Sequence, residues 1–194
     1  MPPIASPAAA ATPGRGEPTA LARSIVLVGL MGAGKTSIGR RLARALEAPF
    51  ADADQEIVDA AGMGIPDIFA LYGEPRFRDL ERRVVARLLD QPPMVLALGG
   101  GAYVDPATRA LVKERGVSLW LKADLGTLLA RTMRKKAARP LLSQGEPREV
   151  LARLMDERYP IYAEADHTVE THVEPHEAVV ERILGIVRPR AGKA

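Results

Sequence analysis

An eight-residue run, Gly29-Leu30-Met31-Gly32-Ala33-Gly34-Lys35-Thr36, has glycine at its first and sixth places, then a lysine and a hydroxyl residue. It fits the G-x-x-x-x-G-K-[ST] pattern, which a chain of this composition would hold by chance about 0.003 times. The run follows an apolar stretch, Ile25-Val26-Leu27-Val28, and opens a helical pattern. In that setting the backbone of Gly32, Ala33, Gly34, Lys35, Thr36 and Ser37 can turn its N–H groups on phosphate oxygens at a helix start. Lys35 is then expected to reach the β/γ-phosphates, and the Thr36 hydroxyl to ligate Mg²⁺. The loop points to a nucleoside triphosphate and leaves the reaction open.

Other side chains could act beside such a loop. Asp52-Ala53-Asp54 closes what reads as a second strand over residues 50–54. Alternate residues of a strand share a face, about 6.6 to 7 Å apart. One carboxylate could then hold Mg²⁺ while the other takes a hydrogen bond or proton from an attacking hydroxyl. A solvated strand end or a helix cap would also accommodate Asp54. Gly99-Gly100-Gly101 ends an apolar stretch, at the carboxyl end of a strand where open α/β sheets bind ligands. Of 27 basic residues, 21 are arginine, the side chain suited to two-pronged recognition of carboxylate and phosphate. Taken one at a time, Arg78 and Arg158 read as helical surface residues.

The elements that must carry these residues alternate. Strand patterns cover residues 25–28, 50–54, 94–98, 117–121 and 168–170. Helical patterns cover residues 35–47, 65–71, 74–89, 106–115 and 175–187, with Pro75 in a first turn and Asp105-Pro106 as a cap and first position. Such alternation implies a parallel sheet covered on both faces. Residues 1–22 are rich in proline and alanine and read as a disordered tail, 23–188 as one domain, and 189–194 as a second tail.

Composition narrows the chemistry further. The chain has 194 residues, 47% of them hydrophobic, enough for one compact core. With no cysteine there are no disulfides, iron–sulfur clusters or thiol nucleophile. Aromatics at 4% are too few for stacking single-stranded nucleic acid, and a net charge of +3 comes without a long basic block, so no nucleic-acid partner is expected. No apolar run approaches the roughly 20 residues of a membrane span. His167, His172 and His176 lack metal-ligand spacing and read as surface residues. Leu121-Lys122-Ala123-Asp124 carries Leu where a guanine-reading loop needs Asn or Thr, so Asp124 is the better helix cap.

Taken in order, these pieces resemble the shikimate kinases from about Ser24 to about Leu184. The matched segments are the phosphate loop, Asp52-Ala53-Asp54, Phe77-Arg78, the glycine triplet, Arg139-Pro140-Leu141-Leu142 and Arg158-Tyr159-Pro160-Ile161-Tyr162. The resemblance implies a three-layer α/β/α sandwich of the P-loop kinase type. Its central parallel sheet would have five strands, with a mobile lid over about residues 132–148. ATP and shikimate are the implied partners, Mg²⁺ the cofactor, and a monomeric cytoplasmic enzyme of aromatic amino acid biosynthesis the implied setting. Lys35, Asp54 and Arg139 take the catalytic roles. Asp52 joins Thr36 on the metal side, and Asp54 meets the ring hydroxyls. Arg78 and Arg158 clamp the substrate carboxylate, and the backbone of Gly99, Gly100 and Gly101 contacts the substrate. Arg131 packs on adenine, and Arg139 closes over the phosphates. The nearest alternative is another small-molecule P-loop kinase, such as a gluconate-type kinase. A GTPase switch or motor ATPase fits less well, because the third strand ends in glycine rather than aspartate.

Overall fold

The structure, a computed structural model, describes residues 21–133 and 145–188. The chain alternates through β1 (Ser24–Val28), α1 (Lys35–Ala45), β2 (Phe50–Asp52), α2 (Ala53–Ala61), α3 (Ile65–Leu89) and β3 (Val95–Ala97). A 3-10 turn (Ala102–Val104) follows, then α4 (Pro106–Arg115), β4 (Gly116–Lys122), α5 (Leu125–Met133), α6 (Pro147–Tyr162), β5 (His167–Glu170) and α7 (His176–Val187). The five strands form one sheet in the order β2-β3-β1-β4-β5, every pair parallel. The central strands are nearly continuous apolar runs, as strands covered on both faces must be: β1 and β3 are buried at every position.

The order of connections places the site. The crossover through α1 runs from β1 past β3 to β2, while that through α4 runs from β3 past β1 to β4. These neighbouring strands therefore send their chains to opposite sides, and right-handed crossovers put α1 and α4 on opposite faces. The crevice so created lies between the loop after β1 and the loop after β3. Those two loops are the phosphate loop and the glycine triplet.

Several expected boundaries need correction. The strand expected over residues 50–54 stops at Asp52, and Asp54 stands in the first turn of α2. Asp52 is the reason: its Oδ1 accepts the Asp54 N–H at 3.1 Å, so it caps a helix that Asp54 and Glu56 favour by charge at its positive end. The two carboxylates therefore do not share one strand face. Pro160 lies inside α6, which runs on to Tyr162. Only one intrahelical bond is lost to it, and Ala163 N–H still reaches Tyr159 O at 3.0 Å. The expected lid loses both ends: Thr132 and Met133 belong to α5, Pro147 and Arg148 to α6. Residues 134–144, with Arg139, lie outside the described residues. Asp124 does cap α5, accepting the Thr127 N–H at 2.8 Å and its hydroxyl at 2.7 Å. The break at Gly73, where φ is 74°, divides α3 and leaves Pro75 in the first turn of its second part, as expected. Leu21 packs against the core.

Two polar joints fasten the far edge of the sheet. Asp166 accepts the N–H and hydroxyl of buried Ser118 at 2.8 and 2.7 Å, and its own N–H donates to Ser118 Oγ at 2.9 Å. After β5, Glu174 accepts from Arg182 Nη1 and Nη2 at 2.8 and 2.7 Å and from the His172 N–H at 3.1 Å. These bonds, those from Arg182 first, hold its carboxyl down at about 2 against an ordinary 4.5. A depressed carboxylate stabilises the fold fully above its ordinary pKa and ceases to do so as pH falls through its folded value. The melting-temperature advantage of the wild type over Glu174→Gln should therefore be full near about pH 6 and disappear towards about pH 2. Thermal unfolding across that range tests this; a pH-independent difference rejects it.

Candidate active site

The phosphate loop joins β1 to α1, and its last glycine, Gly34, caps α1 in the left-handed region at φ 98°. A side chain is strained there, whereas glycine turns the loop so that the N-terminus of α1 faces the crevice. Lys35 Nζ curls over the loop and donates to the Gly29 and Leu30 carbonyls at 2.7 and 3.1 Å. Thr36 Oγ1 donates to Asp52 Oδ2 at 2.6 Å, which brings the end of β2 onto the start of α1. Thr36, Asp52 and Asp54 line a cleft of about 260 Å³ with Gln55 and Val58. A hydroxyl and a carboxylate side by side are hard oxygen donors at a helix start. They suit Mg²⁺, which takes few protein oxygens and keeps waters and phosphate oxygens as its other ligands. The described residues contain no cluster of three or more His, Cys, Asp or Glu able to hold a metal.

The glycine triplet is where the other predicted residues meet. A Cβ on Gly99 would stand 2.6 Å from Asp54 Oδ1 and 2.9 Å from Glu81 Oε1. A Cβ on Gly101 would stand 2.6 and 2.7 Å from the two terminal nitrogens of Arg78. The Gly100 carbonyl accepts from Arg158 Nη1 at 3.0 Å. Gly100 also faces the phosphate loop, its Cβ position 3.7 Å from Met31 N. Asp54 from α2, Arg78 from α3 and Arg158 from α6 therefore surround one stretch of bare backbone, beside the phosphate loop. Arg131 sits apart from them, between the phosphate loop and the segment after β5. Its guanidinium donates to the His172 carbonyl, and at 3.4 Å to Ala33 O and to Thr171 Oγ1, so it ties the phosphate loop to the segment after β5.

Two functional side chains escaped the sequence reading. Glu81 is 2% exposed, and its Oε2 accepts from Arg78 Nη1 at 2.7 Å. Glu74 accepts from Arg78 Nε and Nη2 at 3.3 and 3.1 Å, so the guanidinium is held between two carboxylates. Burial pushes the Glu81 carboxyl up, and the facing Arg78 opposes this without cancelling it. Burial also pulls on Arg78, but Glu81 and Glu74 together raise it on balance, so it stays charged. The signal was present: Glu81 falls on the apolar stripe of its helix, four residues after Phe77 and three or four before Val84 and Val85, all buried. The second is Tyr162, fully buried, whose hydroxyl also donates to the Gly100 carbonyl. It is one helical turn from Arg158, a spacing that carries no polar signal until the acceptor is known.

A sequence model of the shikimate kinase family matches residues 31–188. A shikimate kinase from Caulobacter vibrioides is 58% identical over 167 residues, which span 86% of this chain and 83% of that protein. The structure of a shikimate kinase from Acinetobacter baumannii in complex with shikimate superposes with a TM-score of 0.82 at 40% identity, covering 85% of this chain and 92% of that one. A gluconokinase from Sinorhizobium meliloti shares the fold at 18% identity and a TM-score of 0.57, covering 86% of this chain and 91% of that one. With the phosphate loop, two arginines and the glycine triplet in one crevice and the family match covering all of these but the first two loop residues, the chain belongs to the shikimate kinase family.

Proposed function

We propose that this protein transfers the γ-phosphoryl group of ATP to the 3-hydroxyl of shikimate, giving shikimate 3-phosphate and ADP. The observation that carries the reading is the convergence of Asp54, Arg78 and Arg158 on the glycine triplet beside the phosphate loop. A small polyhydroxy acid needs a cationic clamp for its carboxylate and an acceptor for its hydroxyls. Both are within one side chain's reach of a triphosphate on the loop.

Arg78 and Arg158 bind the substrate carboxylate, and two guanidinium groups fix its orientation as well as its affinity. Glu81 and Glu74 keep Arg78 in place before substrate arrives, so little reorganisation is needed on binding. Asp54 accepts the hydrogen bond of the attacking hydroxyl while the new O–P bond forms and the bond to the β-phosphate oxygen breaks. Lys35 leaves the Gly29 and Leu30 carbonyls to meet the β/γ-phosphates. Backbone N–H groups of the loop, from Gly32 to Ser37, hold the phosphates with it. Thr36 and Asp52 would hold Mg²⁺, which would supply neutralisation of phosphate charge there. Arg131 supports the base side, and Arg139, outside the described residues, is assigned to the γ-phosphoryl group on sequence grounds. Such an arginine is worth about 10³ to 10⁵ in rate. A monomeric, cytoplasmic enzyme completes the reading on the sequence resemblance; no described helix is long and apolar enough to cross a membrane.

Two experiments check the reading. An ADP-release assay with shikimate, quinate, gluconate and nucleoside monophosphates as acceptors should give turnover with shikimate at least about 100-fold above the rest, roughly 2.7 kcal/mol of discrimination. Preference for any other acceptor rejects it. In Gly101→Ala the new methyl group must displace the Arg78 guanidinium, and the KM for shikimate should rise about tenfold or more with the KM for ATP nearly constant. An unchanged shikimate KM would remove Arg78 from the clamp.

A further inference from the structure

α6 brings two donors, one turn apart, to the same acceptor. Arg158 Nη1 and the Tyr162 hydroxyl both donate to the Gly100 carbonyl oxygen, bridging 58 and 62 residues of sequence. A carbonyl oxygen has two lone-pair directions, and here each has a donor. The Gly100–Gly101 peptide is planar, so fixing its oxygen also fixes the direction of the Gly101 N–H and the approach to Arg78. Tyr162 is itself immovable. It is fully buried and packs against Tyr103, Tyr159 and Trp120, with ring centroids 6.5, 6.3 and 6.1 Å away. Burial pushes its hydroxyl up to about 12, against the pull of nearby Arg158, so it remains a donor at any physiological pH. Packing alone would be served as well by phenylalanine; the hydroxyl is what reaches the substrate loop.

We propose that Tyr162 is a positioning residue of the acceptor site: its hydroxyl fixes the Gly100 carbonyl, and through it the rotamer of Arg158 and the Gly100–Gly101 peptide plane that the substrate meets. The inference rests on the reading of Arg158 as a clamp on the substrate carboxylate. Without the hydroxyl, the carbonyl is free to rotate within the loop and Arg158 loses its second support. The effect falls mainly on the acid substrate, because the Tyr162 hydroxyl donates to the Gly100 carbonyl and not to the phosphate loop or Arg131, which serve the nucleotide.

The test is steady-state kinetics on Tyr162→Phe, with Tyr159→Phe as control. Tyr159 belongs to the same aromatic cluster, but its hydroxyl donates to the Ala123 carbonyl, away from the glycine triplet. Tyr162→Phe should raise the KM for shikimate about tenfold, with kcat and the KM for ATP within about twofold of wild type. Tyr159→Phe should leave the shikimate KM within about twofold. In an Arg158→Lys background, where the clamp is already impaired, adding Tyr162→Phe should cost no more than about a further twofold. The inference is overturned by an unchanged shikimate KM in Tyr162→Phe, by an equal rise in both KM values, by an equal effect of Tyr159→Phe, or by full additivity with Arg158→Lys. It is overturned too if Tyr162→Phe does not fold, for the hydroxyl would then be holding the core rather than the clamp. A wild-type protein that turns over ATP with some other acceptor in preference to shikimate defeats the parent reading as well, a result distinct from every one of these.

Discussion

Side chains from three helices can share one small crevice only because the backbone at the end of β3 carries none of its own. Asp54 and Glu81 press on Gly99 and Arg78 on Gly101, at distances where a methyl group would already collide or force a displacement, and Arg158 hydrogen-bonds to Gly100 between them. The triplet is thus less a flexible turn than a bare platform with a fixed shape. Its position follows from the strand order. β3 neighbours β1, so the platform and the phosphate loop face each other across the point where the chain's crossovers diverge.

Charge compensation makes this crowding tolerable. Two guanidinium groups and two carboxylates meet around the platform, and the two guanidinium groups offset part of the desolvation of Glu81. Glu81 is nearly inaccessible, yet Arg78 and Arg158 both favour its ionised form, while burial and the neighbouring Asp54 oppose it. An isolated buried carboxylate would neutralise; one that faces an arginine at 2.7 Å keeps that arginine oriented instead. The same economy holds on the nucleotide side, where Thr36 and Asp52 are joined at 2.6 Å and Lys35 rests on its own loop. Arg78, held by Glu81 and Glu74, has its orientation fixed by the protein itself, as electrostatic preorganisation requires.

How far the site could be read in advance differs from residue to residue. The phosphate loop was legible because strand, glycines, lysine, threonine and helix are contiguous. Asp124 was legible as a cap because its partner is three residues away. The pair Asp52 and Asp54 was recognised, but its geometry was not: a cap at Asp52 turned the chain into α2, and strand spacing no longer applied. α6 ran through Pro160 because one missing N–H near a helix end is a small loss beside the burial of Leu151, Leu154 and Tyr162. Glu81 was concealed by its type, since a glutamate on a helix is ordinarily assigned to solvent, and only its place in an apolar stripe marked it.

By itself the sequence determined the alternation of elements, the phosphate loop with its lysine and threonine, and the identity of the residues resembling a family's site. Each of these depends on periodicity or on neighbours within a few positions, where backbone conformation and side-chain type are coupled directly. Tertiary structure alone decided that Arg78 and Arg158 meet around one stretch of backbone, that Glu81 is buried against Arg78, and that Tyr162 and Arg158 share one carbonyl. Those contacts depend on the packing of α2, α3 and α6 over the end of β3, and no local preference encodes an acceptor about sixty residues away.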